Sequence, residues 1–237
     1  MLIETVPISR GLDWITEGFS LFRRNMLIWI VMFIIFLAIF LVLSVIPVIG
    51  TIATLLLQPV LLAGMYAGCK ALDQGEELRI DHLFEGFRNN TSPLVKVGLI
   101  SFAGYLLVFI IVAFIVGAAI GLGNLDDFDP DTVLEAGGPM TGFILSGLVG
   151  LALTIPIAMA TWFAPALVMF DNLPAWDAMK ASFWACLSNI LPFLLYGIIA
   201  FFLTIVAMLP FGLGMLVLAP TLIASVYTGY RDIFRAA

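Results

Sequence analysis

The sequence predicts an all-α integral membrane protein, and three observations predict it. Of the 237 residues, 62% are hydrophobic and only 11% charged, and the mean hydropathy is +1.15. A soluble domain runs about 45–50% apolar and about 25% charged, and no soluble fold of this length has a core that hides so much apolar surface. The apolar residues also fall in long uninterrupted runs, each near the roughly 20 residues that a membrane-crossing helix needs. Finally, all ten Lys and Arg residues fall on one side of a six-span path. Such a bias marks the cytoplasmic face.

The elements follow in order. Residues 26–46 form the first apolar run, and Pro47 and Gly50 close it with a tight turn. The second run is 48–68, followed by a polar stretch at 70–93. The third is 94–122, and an acidic stretch at 124–138 separates it from the fourth, 139–170. That fourth run is long enough to tilt or kink, and Pro156 and Pro165 sit inside it. The fifth run, 190–209, and the sixth, 211–230, are joined at Pro210 and Gly212. None of the run centres carries Lys, Arg, Asp or Glu. Each such residue costs about 2.5–3.5 kcal/mol there on the insertion scale. With the basic residues inside, both termini are expected in the cytoplasm, and Asp126, Asp127, Asp129, Asp131 and Glu135 outside.

The counts also exclude function classes. A net charge of −6 and a pI near 4.6 argue against nucleic-acid binding, which needs a basic face. Cys69 and Cys186 fit neither a disulfide framework nor a metal spacing, and His82 stands alone. No cofactor is expected.

The chain reads as one transmembrane domain, residues 1–237, made of three hairpin units at about 8–70, 78–171 and 174–235. Each unit opens with a segment whose apolar residues sit at helical spacing. These are Ile8, Leu12, Ile15, Phe19 and Phe22; then Ile80, Leu83, Phe84 and Phe87; then Trp176, Met179, Phe183 and Leu187. The pattern predicts three amphipathic helices in the headgroup plane on the cytoplasmic side. Asp13 and Phe19, Asp81 and Phe87, and Asp177 and Phe183 share one spacing, and Asn25, Asn90 and Asn189 precede the next run. Pro59, Pro165 and Pro220 occupy similar places in the second span of each unit. Units related in this way imply a pseudo-threefold axis along the membrane normal.

Several stretches carry a family likeness. They are Gly11-Leu12-Asp13-Trp14, Glu17-Gly18-Phe19, Leu21-Phe22-Arg23-Arg24 and Trp29. Leu83-Phe84-Glu85-Gly86-Phe87-Arg88 and the stretch from Gln58-Pro59 to Gly64-Met65 belong with them. The chain resembles an uncharacterised proteobacterial family of small six-span inner-membrane proteins. That family opens on Gly-x-x-Trp-x-x-x-Gly-Phe/Trp-x-Leu-Phe and carries Leu-Phe-x-Gly-Phe after its second span. The resemblance implies a bacterial cytoplasmic membrane location and no particular activity.

Three groups of residues are candidate sites. Gln58 is an amide deep in a span beside Pro59, and with Pro165 and Pro220 it suggests a binding region on the repeat axis. The alternative is that the prolines shape the helices and Gln58 bonds to a neighbour. Trp14, Arg23, Arg24 and Arg88 suit lipid headgroups, by ordinary anchoring or by selective binding. Asp127, Asp129 and Asp131 alternate as in calcium loops. An EF-hand counted from Asp127 fails, because Thr132 and Gly138 replace the required Gly and Glu, so a solvated loop or weak divalent binding is left.

With no nucleophile–base pair, no metal set and no intramembrane acid, the sequence points away from an enzyme and from an ion-coupled transporter. Three readings follow: an accessory or scaffold subunit of a membrane complex; a passive channel or carrier for a lipid or apolar solute along the repeat axis; and a lipid-sensing or membrane-shaping protein. The expected partners are membrane lipids and other membrane subunits, not nucleic acid.

Overall fold

The structure, a computed structural model, describes residues 2–122 and 138–235. The regular structure among the described residues is helical apart from one short antiparallel pair, β1 (Leu2–Ile3) with β2 (Phe234–Arg235). The helices are α1 (Arg10–Arg24), α2 (Met26–Ser44), α3 (Ile49–Asp73), α4 (Glu85–Arg88) and α5 (Thr91–Leu122). After the undescribed segment come α6 (Gly138–Trp162), α7 (Ala164–Asp171), α8 (Ala175–Ser188), α9 (Ile190–Met208) and α10 (Met215–Ile233). A 3-10 turn at Ile80–Phe84 leads into α4.

Five helical stretches are long and apolar enough to cross a membrane: Met26–Ser44, Ile49–Asp73, Thr91–Ala118, Gly142–Asp171 and Ile190–Met208. They match the first five expected runs. The expected sixth, 211–230, is not among them. Its helix α10 buries Thr221, Ser225 and Thr228 and ends in Arg231 and Asp232. A helix wrapped by neighbours has its hydroxyls satisfied inside the protein and does not have to read as apolar to lipid. Here the Thr221 hydroxyl donates to the Val217 carbonyl at 2.7 Å, and the Ser225 and Tyr196 hydroxyls share a 2.8 Å bond.

The chain divides into two compact units, Met1–Leu99 with Met159–Ala237, and Ile100–Ala158. The first holds the core. Trp14, Phe22, Trp29, Met32, Leu61, Met65, Leu83 and Phe163 are its largest enclosed side chains. Its two ends are tied together: the Glu4 amide donates to the Ile233 carbonyl at 2.9 Å beside the β1–β2 pair. Asn189 holds the same segment, accepting from the Val6 amide at 2.8 Å and donating to the Glu4 carbonyl at 3.1 Å. The helix breaks at Phe163, between α6 and α7 and just before Pro165, while Pro156, Pro59 and Pro220 lie within continuous helices.

The second unit is the 100–158 part of α5 and α6. Within it, a Cβ added at Gly104 comes 3.1 Å from Ile157 Cδ1, and one added at Gly150 comes 3.1 Å from Val112 Cγ2. Leu107, Phe109, Phe114, Leu148 and Leu151 point away from the protein.

The three surface segments bury one side against the protein and leave much of the apolar stripe outside it. In α1, Ile15 and Phe22 are buried, but Ile8, Leu12 and Phe19 are exposed. The enclosed face is instead Gly11, Trp14, Ile15, Gly18, Leu21 and Phe22. In the second segment Leu83 and Gly86 are buried while Ile80, Phe84 and Phe87 are exposed. In α8, Ala178, Met179, Ser182, Ala185 and Cys186 are buried while Trp176 and Leu187 are exposed. Small residues decide the buried side because they let one backbone lie against another. A Cβ at Gly18 would stand 2.6 Å from the Thr221 carbonyl oxygen. One at Gly86 would collide with the Val60 carbonyl oxygen in the same manner.

Candidate functional site

The charged residues that flank the uncharged hairpins converge at one end of the first unit. Arg10 stands at the start of α1, Asp73 at the end of α3, and Arg231 and Asp232 in the last turn of α10. The insertion cost of charges in lipid places them at helix ends, and there the helices bring them together.

Arg10 is the hub. Its Nε donates to Asp232 Oδ2, its Nη2 to Glu17 Oε1 at 2.9 Å and its Nη1 to Asp13 Oδ2 at 3.3 Å. Trp14 Nε1 donates to the same Asp232 oxygen at 2.9 Å. Glu17 then links to Arg231 Nη2 at 2.7 Å, and Arg231 Nη1 reaches both Asp73 oxygens at 2.8 and 2.9 Å. The Tyr227 hydroxyl donates to Asp73 at 3.3 Å, and the Tyr230 hydroxyl to Asp171 at 2.6 Å. Lys70 Nζ stands 4.9 Å above the Phe170 ring. One network thus joins α1, α3 and α10.

The hydrogen bond that Arg10 donates to Asp232 raises the Arg10 pKa above its ordinary value, against the opposing effect of burial. Burial works against the Arg231 charge as well, but its bonds to Asp73 leave that pKa raised. The Asp73, Glu17 and Asp232 carboxylates are occupied by fixed donors. Such groups hold helices in register; a general base instead needs a free lone pair aimed at a substrate proton. Among the described residues no group of three or more His, Cys, Asp or Glu is arranged to hold a metal ion.

Of the expected headgroup residues, only Trp14 joins this network, and it does so from the core. It is 1% exposed, so it is not a headgroup contact. Gly229 packs against its indole, where an added Cβ would lie 3.4 Å from the ring, an ordinary contact distance. Arg24 Nη1 donates to the Leu72 carbonyl at 2.6 Å and so caps the end of α3. Arg23 lies 5.7 Å over the Phe19 ring, and Arg88 is exposed. The four do not form one site.

The expected axial group is also divided. Pro59, Pro165 and Pro220 are buried, but Gln58 is exposed on α3. The amide therefore does not face an interior shared with the prolines. Asp127, Asp129 and Asp131 lie outside the described residues.

Arg10, Asp13, Glu17, Asp73, Arg231 and Asp232 were not singled out from the sequence as a group. One signal was available. Residues 25–69 and 181–230 hold no charged side chain, so the charges that flank these stretches gather near one level.

Comparison with known proteins gives one informative match. A probable inner membrane protein of Burkholderia thailandensis is 33% identical over 236 residues, covering 95% of this chain and 83% of that protein. No family profile and no solved structure matches the chain.

Proposed function

This chain belongs to the family of the Burkholderia thailandensis probable inner membrane protein, and on that premise we propose that it is a non-catalytic accessory or scaffold subunit of a bacterial inner-membrane complex. The observation that carries this reading is an imbalance of cover. Half of the apolar window of α3 is buried inside the protein, but only 6% of each window in Thr91–Ala118 and Gly142–Asp171. A Cβ added at Gly117 or Gly147 meets nothing within 4 Å. Open small-residue positions on bare apolar helices admit close approach by a further helix.

The arrangement we infer is six spans in three hairpin units, with both termini cytoplasmic. Its support is a cyclic order in the packing. The first surface helix lies on the proline helix of the third unit, with Gly18 against Thr221, the residue after Pro220. The second lies on the first unit, with Gly86 against Val60, the residue after Pro59. The third lies on the second span of the middle hairpin (78–171), where the Ser182 hydroxyl donates to the Met159 carbonyl at 2.6 Å and accepts from the Phe163 amide at 2.9 Å. Gly229 faces Trp14 as Gly68 faces His82, and these pairs hold matching places in their units. Chance similarity between apolar runs does not predict that order.

A second reading, lipid recognition at the headgroup boundary, is favoured by the outward face of α8. Trp176 and Trp184 are exposed there at an i, i+8 spacing with Lys180 between them. Indole and ammonium side chains suit that boundary. The carrier reading has less support, since Gln58 faces outward.

The accessory reading is tested by photo-crosslinking in living cells. A photoreactive amino acid at Phe109 or Phe114 is expected to give a discrete protein adduct of one mass from both positions. Lipid adducts alone from both positions would contradict it.

A further inference from the structure

The two short turns at the end of α2 and the end of α9 are built unlike any other break in the first unit. In the first, Val45, Ile46, Pro47, Val48 and Ile49 connect α2 to α3. In the second, Leu209, Pro210, Phe211, Gly212 and Leu213 lead towards α10. Neither contains a polar side chain, and their apolar side chains stand out from the protein: Val48 is 71% and Phe211 102% exposed.

Three further facts agree. The helix α2 has 19 residues and α9 has 19. At 1.5 Å per residue each is about 29 Å long, so a turn at its end lies at the far boundary of a hydrocarbon layer about 30 Å thick.

Several backbone donors beside Val48 and Phe211 are also satisfied internally. The Ile46 amide bonds to Leu43 at 3.0 Å, Ile49 to Pro47 at 2.6 Å and Gly50 to Ile46 at 2.9 Å. In the second turn, Gly212 bonds to Met208 at 3.1 Å and Leu213 to Pro210 at 3.0 Å. Pro47 and Pro210 have no amide hydrogen to satisfy. The Ser44 hydroxyl is directed back to the Leu41 carbonyl at 2.7 Å. Pairing of these groups lowers the cost of placing them near an apolar medium.

The third fact is the choice of residue at positive φ. Val48 has φ 61° and Phe211 has φ 53°. Water-facing turns place Gly, Asn or Asp at such positions. The two breaks near the charged end do so, with Asn90 at φ 59° and Asn172 at φ 54°. A β-branched or aromatic residue in that conformation is strained, and exclusion of polar groups from the turn gives a reason for it.

We propose that the two turns are lipid-embedded: Val48 and Phe211 insert among the phospholipid chains at the bilayer boundary, and the hairpins end there without meeting water. The occupant is the bilayer itself, because the apolar surface of the turns continues that of the spans. The proposal rests on the membrane class of the chain and not on the accessory reading.

The test uses the full chain in phosphatidylglycerol–phosphatidylethanolamine vesicles. A nitroxide is attached at Phe211→Cys or Val48→Cys, with Cys69 and Cys186 replaced by alanine and Glu76→Cys as the water-exposed reference. The expected result is strong relaxation by oxygen and loss of relaxation by a water-soluble nickel complex at both turn positions. Nickel relaxation equal to that at position 76 would overturn the proposal. So would exclusion of both reagents with spin–spin broadening that fades on dilution with unlabelled protein, since a second copy would then be the occupant. An independent variant is Phe211→Asn, which relieves the positive φ. In lipid nanodiscs it is expected to lower Tm; a rise in Tm would overturn the proposal.

Discussion

The helix breaks near the charged cluster and the turns at the far ends of α2 and α9 solve the same geometric problem with opposite chemistry. Near the cluster, Asn90 and Asn172 adopt positive φ, and the Asn90 amide donates to the Val168 carbonyl at 3.0 Å and to Asn172 Oδ1 at 2.9 Å. At the far ends, Val48 and Phe211 adopt positive φ with no side-chain bond possible. Near the cluster, structure is held by directional polar bonds between different helices, from Arg10 through Glu17 to Arg231 and Asp73. At the far ends it is held by backbone bonds within each turn. The difference teaches where charge is tolerated: charged side chains join helices where they stay partly hydrated, and the far turns use backbone bonds instead.

The largest effect that would break this comparison is at the hub. Asp232→Ala leaves the Arg10 guanidinium and the Trp14 indole, both largely enclosed, without their shared acceptor. A loss of about 2–4 kcal/mol is expected, read as a marked fall in Tm in detergent. An unchanged Tm would mean that the network does not hold the helices.

Gly86→Leu comes next. Its side chain meets the Val60 backbone, and overpacking of this kind costs about 1–3 kcal/mol. A Tm that fell no further than for Gly117→Leu, where the space is open, would remove the argument that small residues seat the surface segments.

Asn172→Val moves the far-end chemistry to the charged end. It is expected to destabilise by about 1–2 kcal/mol through the left-handed conformation. Val48→Gly should be neutral or stabilising by up to about 1 kcal/mol. Equal responses at the two sites would erase the contrast.

The smallest effect is at the rim of the network. Arg231 is 44% exposed, so Arg231→Ala should cost less than about 1 kcal/mol, and its effect should shrink further at high salt.

A pH test concerns Cys186. Burial pushes its thiol from the ordinary 9.0 up to about 12. The folded chain then keeps a proton that the unfolded chain loses, so this group's contribution is complete below pH 9 and lost between pH 9 and 12. Alkylation of the folded protein at pH 8 should be slow, and fast once the chain is unfolded.

Membrane class and the runs at 26–46, 48–68, 94–122, 139–170 and 190–209 are legible in the sequence because an apolar stretch of that length has one stable outcome. The seating of the surface helices is not. Leu12 and Leu21 are the same letter on the same helix, yet one is exposed and the other enclosed. Gly11 and Gly18 decide between them, by permitting backbone contact that apolar periodicity does not record. Trp14 shows the same limit: an indole reads as a headgroup anchor until Asp232, 218 residues away, supplies its acceptor. The charge network depends on such long-range partners, so only its raw material, charges bordering two uncharged stretches, is visible beforehand.

The central claim, an accessory subunit within a larger inner-membrane assembly, is tested most directly by native mass spectrometry of the protein extracted gently from its own membrane. The account predicts a mass that requires other polypeptides besides this 25.8 kDa chain. A mass equal to the chain with bound lipids alone would contradict it.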